Sequence, residues 1–157
     1  MLKSETKPDL FILDVDGVLS TGQFIYDSSG KKYKIFGSHD SEGLNILSEF
    51  IKIEFISADK RGFEISNKRV SDMGFKLNLV SEEDRRNHLE KLGFENVIFM
   101  GDGYYDALLF SEVNYSIAPA NARKEALENA DYVTENKAGE GAVMDACIHL
   151  NEKFYIK

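Results

Sequence analysis

The stretch Leu10-Phe11-Ile12-Leu13 is apolar at every position and stops abruptly at Asp14-Val15-Asp16-Gly17. A strand with one wet face alternates apolar and polar side chains. A strand covered on both faces has no reason to alternate, so an unbroken run of this length marks a strand buried on both sides. Comparable runs recur at 53–56, 75–80, 97–100 and 115–118, which predicts five buried strands. Between them lie segments with helical spacing: Leu44, Leu47, Phe50 and Ile51, then 63–73, 88–92 and 107–110. Strands alternating with helices predict an α/β fold, a Rossmann-like three-layer arrangement around a parallel sheet, with ligands at the carboxyl ends of the strands.

One segment breaks the alternation. Residues 23–28 and 31–36 are β-rich and flank Ser29-Gly30, a hairpin signal placed directly after the first strand. The tail from 139 to 150 reads as a glycine-flanked turn followed by a helix. No stretch repeats, and the chain is expected to form one domain over 1–157 with the hairpin at 23–36 inserted after the first strand.

Composition narrows the function classes. Lys and Arg number 19 against 27 Asp and Glu, a net charge of -8, which argues against a nucleic acid or an anionic membrane surface as partner. The single cysteine, Cys147, leaves no intrachain disulfide framework and fits a reducing, cytoplasmic setting. No apolar run reaches the ~18 residues of a membrane span.

The acidic residues carry the chemistry. Asp14-Val15-Asp16-Gly17-Val18 puts two carboxylates at the end of a buried strand, followed by a glycine that permits a sharp turn. A bare D-x-D also fits a solvated strand-to-loop turn. A second site, Gly101-Asp102-Gly103-Tyr104-Tyr105-Asp106, follows the run at 97–100 in the same way. If these strands are neighbours, three or four carboxylates converge, and a hard divalent cation such as magnesium is the natural counter-charge. Asp106 is equally suited to capping a helix. Ser57 ends the run at 53–56, where a hydroxyl and backbone N–H groups suit an anion; Lys60, Arg61, Lys68, Arg69, Arg85 and Arg86 are the bases available to complete such a site.

In this order, D-x-D-G-V at 14–18, a serine at 57 and G-D-G-x-x-D at 101–106 resemble the haloacid dehalogenase superfamily, and within it the small phosphatases without a cap domain that act on ulosonate phosphates, together with the phosphatase-like domain of some acylneuraminate cytidylyltransferases. His39-Asp40-Ser41-Glu42-Gly43 and Ala138-Gly139-Glu140-Gly141-Ala142-Val143 add to the likeness. The resemblance implies a magnesium-dependent phosphatase working on a sugar phosphate through an aspartyl phosphate. Asp14 would be the nucleophile. Asp16 would be the general acid and base, its backbone carbonyl binding the metal together with the carboxylates of Asp14 and Asp102. Ser57 would bond a phosphoryl oxygen, Asp106 would support the metal site from behind, and His39, Asp40 and Arg69 would contact substrate.

Three departures stand out. No lysine occurs between Asn78 and Glu90, where the resembling proteins carry one, so Arg85 or Arg86 must supply that charge, with a different reach. The T-G-R of those proteins reads Ser57-Ala58-Asp59, and their G-G-R-G-A reads Ala138-Gly139-Glu140-Gly141-Ala142. Each of these two exchanges a base for an acid. They leave open a weakly active or non-catalytic module serving assembly or regulation of a sugar-activating enzyme. Finally, a hairpin bearing Phe24, Tyr26, Tyr33, Ile35 and Phe36 has more apolar surface than a solvated flap favours, and the resemblance implies a homotetramer with Gly139 to Val143 near an adjacent site.

Overall fold

The computed structural model describes Lys3 and residues 5–156. Strand β1 (Leu10–Asp14) enters the centre of a six-stranded sheet, and the hairpin β2 (Ser20–Asp27) and β3 (Gly30–Phe36) follows at once. The chain continues through α1 (Asp40–Leu47), β4 (Lys52–Ser57), α2 (Phe63–Asp72), β5 (Lys76–Leu79) and α3 (Arg85–Leu92). It ends with β6 (Val97–Met100), α4 (Tyr104–Leu109), β7 (Tyr115–Ala118), α5 (Lys124–Asn129), β8 (Tyr132–Val133) and α6 (Ala142–Leu150). The sheet order is β5-β4-β1-β6-β7-β8, and every pairing is parallel.

The unbroken apolar runs are explained by two cores. Phe11 and Leu13 of β1 join Leu44, Leu47, Val70, Val143 and Leu150 on one face, while Leu10 and Ile12 join Leu89, Phe99, Phe110 and Ala126 on the other. Alternate side chains of one strand therefore enter opposite cores, and both sets are apolar. Truncating a fully buried member such as Leu13 to Ala costs about 2–5 kcal/mol.

The sheet order positions the site. From β1 the chain runs outward through β4 to β5, then returns to the other side of β1 for β6, β7 and β8. The reversal falls between β1 and β6, where Leu13 pairs with Met100. A crevice opens outside the carboxyl ends of the strands at such a switch point, and Asp14 and Asp102 stand at its rim.

Some boundaries differ from expectation. A sixth strand, β8, and helix α5 are present. Each is too short, two and six residues, to leave a periodic apolar signature. Phe50 and Ile51 lie beyond α1, with Phe50 stacked on Tyr155 at a centroid distance of 5.7 Å. The hairpin turns at Ser28-Ser29 rather than Ser29-Gly30, because the Asp27 carboxylate accepts both the backbone N–H and the hydroxyl of Ser29 at 2.7 Å.

Candidate active site

The Asp14–Gly17 loop sits where β1 leaves its cores. Asp14 is buried and accepts the Val15 N–H at 2.8 Å. Gly17 has φ +78°, and a Cβ there would lie 2.0 Å from the Asp102 carboxylate. Glycine is needed twice over, for the turn and for the approach of Asp102.

Asp14, Asp102 and Asp106 each present a carboxylate oxygen within 4.8 Å of the others. Asp106 is committed inward. It accepts the N–H groups of Asp102 and Gly103 at 3.1 and 3.0 Å and forms an ion pair with Arg85. The Arg85 guanidinium also reaches Asp14, Nη1 to Oδ2, at 3.0 Å. Among the described residues, no other residue hydrogen-bonds the Asp102 carboxylate. Burial pushes the Asp102 carboxyl up to about 7, with Asp106 adding to the shift and Arg85 opposing it. Burial likewise raises Asp14 well above the usual carboxylate range, against the pull of Arg85. Burial works against the Arg85 charge, but its two carboxylate partners outweigh that and raise its pKa. Crowded, raised carboxylates fit a hard divalent cation, which would relieve their repulsion. With Asp106 held by two backbone N–H groups as well as Arg85, the carboxylates best placed to hold it are Asp102 and Asp14, the latter sharing Arg85 with Asp106.

These residues line a cavity of about 780 Å³, whose outer wall is formed by Asp16, Phe24, Lys31, Asp59, Glu82, Glu83, Tyr104 and Tyr105. The hairpin thus supplies one wall, through Phe24 and Lys31, whose ammonium lies 3.6 Å from the centre of the Phe24 ring.

The structure brings Asp14, Asp16, Arg85, Asp102 and Asp106 together and separates the rest. Arg86 points away to pair with Glu112 at 2.7 Å on the surface. Ser57 is buried, and its hydroxyl accepts the Asp59 N–H at 3.2 Å, so Ala58 and Asp59 rather than Ser57 form the wall there. The expected substrate contacts at His39, Asp40 and Arg69 are employed elsewhere in this chain. His39 is solvent-exposed at the start of α1, facing Glu42 at 3.8 Å. Asp40 is fully buried and accepts the Met144 N–H at 3.0 Å, which anchors the amino end of α6 to α1. Arg69 donates to the Gly37 carbonyl at 3.1 Å, fastening α2 to the end of the hairpin. Gly139 packs against Thr21 and Gly37 of its own chain.

Two further lysines, which no motif in the sequence marks, join the site. Lys31 pairs with Asp59, and Lys34 pairs with Asp16 at 2.7 Å and with Asp59 at 2.9 Å. Their signal in the sequence was faint: in Tyr33-Lys34-Ile35 the lysine points inward while Tyr33 and Ile35, 65% and 46% exposed, point out, the reverse of ordinary patterning.

A central parallel sheet with acidic strand ends, a buried arginine between them and a hairpin wall defines a class, and the sequence agrees. Residues 23–146 match the haloacid dehalogenase-like hydrolases, and the chain belongs to that family. The matched segment carries Arg85, Asp102 and Asp106, while Asp14 and Asp16 precede it. More particularly, the chain is 33% identical over 146 residues to 3-deoxy-D-manno-octulosonate 8-phosphate phosphatase of Salmonella typhi, covering 88% of this chain and 76% of that protein. The same phosphatase of Moraxella catarrhalis, solved with magnesium, phosphate and KDO, superposes with a TM-score of 0.80 at 27% identity, covering 93% of this chain and 87% of that one. The cobalt-bound phosphatase of Haemophilus influenzae gives 0.79 at 26% identity, covering 93% and 88%. The fold and the hydrolase class follow. No helix among the described residues is long and apolar enough to cross a membrane.

Proposed function

We propose that this chain is a magnesium-dependent phosphatase that hydrolyses a sugar phosphate, either of the ulosonate class for which its relatives are named or of the nonulosonate class, through an aspartyl phosphate. The observation that carries the reading is the guanidinium of Arg85 held between Asp14 and Asp106. A nucleophilic carboxylate and a phosphate monoester repel each other, and a fixed cation beside both offsets the repulsion. When bound by Asp14 and Asp102, magnesium supplies further charge neutralisation on the phosphoryl oxygens.

In the first step an Asp14 oxygen attacks phosphorus, the ester P–O bond breaks, and its electron pair leaves on the sugar oxygen, which takes a proton from Asp16. In the second, Asp16 removes a proton from water, the water oxygen attacks phosphorus, and the bond to Asp14 breaks to release inorganic phosphate. Arg85 screens charge in both steps, and Asp106 holds Arg85 and the Asp102 backbone in place.

The hairpin supports a further part of the reading. Ile25, which pairs with Tyr33, joins Tyr33 and Ile35 on the outward side of the hairpin, each 46–65% exposed, an apolar face suited to self-association, and the working form is a cytoplasmic homotetramer with hairpins in contact, each chain acting as one catalytic domain. The test is phosphate release from a panel of sugar phosphates, ulosonate phosphates included, with magnesium and with chelator. Magnesium-dependent turnover is expected. Absence of turnover on every ester would favour the non-catalytic module.

A further inference from the structure

Lys34 lies within β3, yet its side chain is 0% exposed. A buried ammonium is strongly unfavourable unless each of its hydrogens is satisfied. Here all three have acceptors: Asp16 Oδ1 at 2.7 Å, Asp59 Oδ2 at 2.9 Å and Ser66 Oγ at 2.7 Å. One lysine therefore ties the hairpin to the Asp14–Gly17 loop, to the segment after β4 and to α2.

Asp16 has little else to hold it. Its only other hydrogen-bond partner among the described residues is Ser20 Oγ at 3.5 Å. Asp59, by contrast, is well anchored. It accepts the Gly62 N–H at 3.1 Å and takes Lys31 as a second cation. Asp59 is thus the counter-charge for two hairpin lysines.

We propose that Lys34 is the positioning residue for Asp16: its ammonium holds the carboxylate at the cavity wall on the leaving-group side, and Asp59 holds the ammonium. The proposal rests on the phosphatase reading above. A proton donor works only within hydrogen-bond reach of the departing oxygen, and a carboxylate on a glycine-flanked loop samples several rotamers unless a partner selects one.

The consequence is selective. A sugar alkoxide is a poor leaving group and needs the proton, whereas p-nitrophenolate departs without it. The measurement is kcat/KM, which reports the steps through phosphoryl transfer, for a sugar phosphate that the wild type hydrolyses and for p-nitrophenyl phosphate. Lys34→Met should lose about 30- to 100-fold on the sugar phosphate, with a loss at least about tenfold smaller on the aryl ester. Asp59→Asn should show the same asymmetry in weaker form, and Lys34→Arg should recover part of the loss. Parallel losses on both esters, or no loss on either, would overturn the role of Lys34 while leaving the phosphatase reading intact. If circular dichroism shows Lys34→Met unfolded, Asp59→Asn decides: a folded variant without the asymmetry overturns the proposal. A wild type inert toward both esters with magnesium would refute the phosphatase reading itself.

Discussion

Arg85 and Asp14 are 71 positions apart in the chain, and the Arg85 Nη1 lies 3.0 Å from the Asp14 Oδ2 in the buried floor of the cavity. The pair links the first turn of α3 to the end of β1 and fixes a guanidinium beside the strand-end carboxylate. Arg86, one residue on, serves the surface. Alanine at 85 is expected to lower turnover by at least about 100-fold, and alanine at 86 by less than about twofold, as for a solvated pair. Because Arg85→Ala leaves two buried carboxylates unpaired, at a stability cost of about 3–5 kcal/mol, Arg85→Lys is the companion variant. It should stay folded and keep more activity than Arg85→Ala. Equal rates for Arg85→Ala and the wild type would place the required cation elsewhere.

Asp14→Asn should abolish magnesium-dependent turnover, by at least about 10³-fold, with little change in melting temperature. The amide is nearly isosteric but neither attacks phosphorus nor binds a hard cation well. Steady-state phosphate release checks this, and a variant with substantial residual rate excludes the aspartyl phosphate.

Metal binding should depend on pH with a definite sign. Burial and neighbouring carboxylates raise Asp102 to about 7, so below that pH the metal-free site holds a proton that an incoming cation must displace. Affinity should therefore tighten as pH rises through about 7, by up to about tenfold per unit for each proton displaced, with Asp14, also raised, adding to the dependence. Calorimetric titration with magnesium about one unit below and one unit above that value should show more proton release on the acid side. A dissociation constant unchanged between the two conditions contradicts the proton-coupled site.

Asp59 gives its pH dependence in stability rather than in binding. Its lysine partners and the Gly62 N–H lower its pKa from 3.8 to about 2 against the effect of burial. A folded-state pKa below the unfolded one means stability present above about pH 4 and lost as pH falls toward about 2. Urea midpoints for the wild type should drop over this range more steeply than those of Asp59→Asn. Identical slopes would show that the lysine pairing contributes nothing to the folded state.

The exposed hairpin face predicts association. Light scattering at micromolar concentration should report about four chains per particle, and Ile25→Asp with Tyr33→Asp should dissociate it by placing charges in an apolar contact. A wild-type monomer with full activity would refute the assembly.

What was legible in the sequence has a common physical origin. β1 must bury both faces, so its run is apolar throughout and its end is marked by the first acids. Gly17 must turn and make room, so it is a glycine beside Asp14 and Asp16. Local requirements of this kind are written in adjacent residues, and from them the parallel sheet and the strand-end carboxylates follow, while a cation at Arg85 or Arg86 was what the family resemblance implied. What the tertiary structure decided was which charges meet. Arg85 rather than Arg86 faces Asp14 because α3 turns only one side toward the sheet. Asp40 and Arg69 fasten elements together because their helices pack away from the cavity. Lys34 reaches Asp16 and Asp59 because the hairpin folds back over the strand ends. An ion pair depends on distance in space, and no spacing along the chain encodes the return of a hairpin onto a loop it left many residues before.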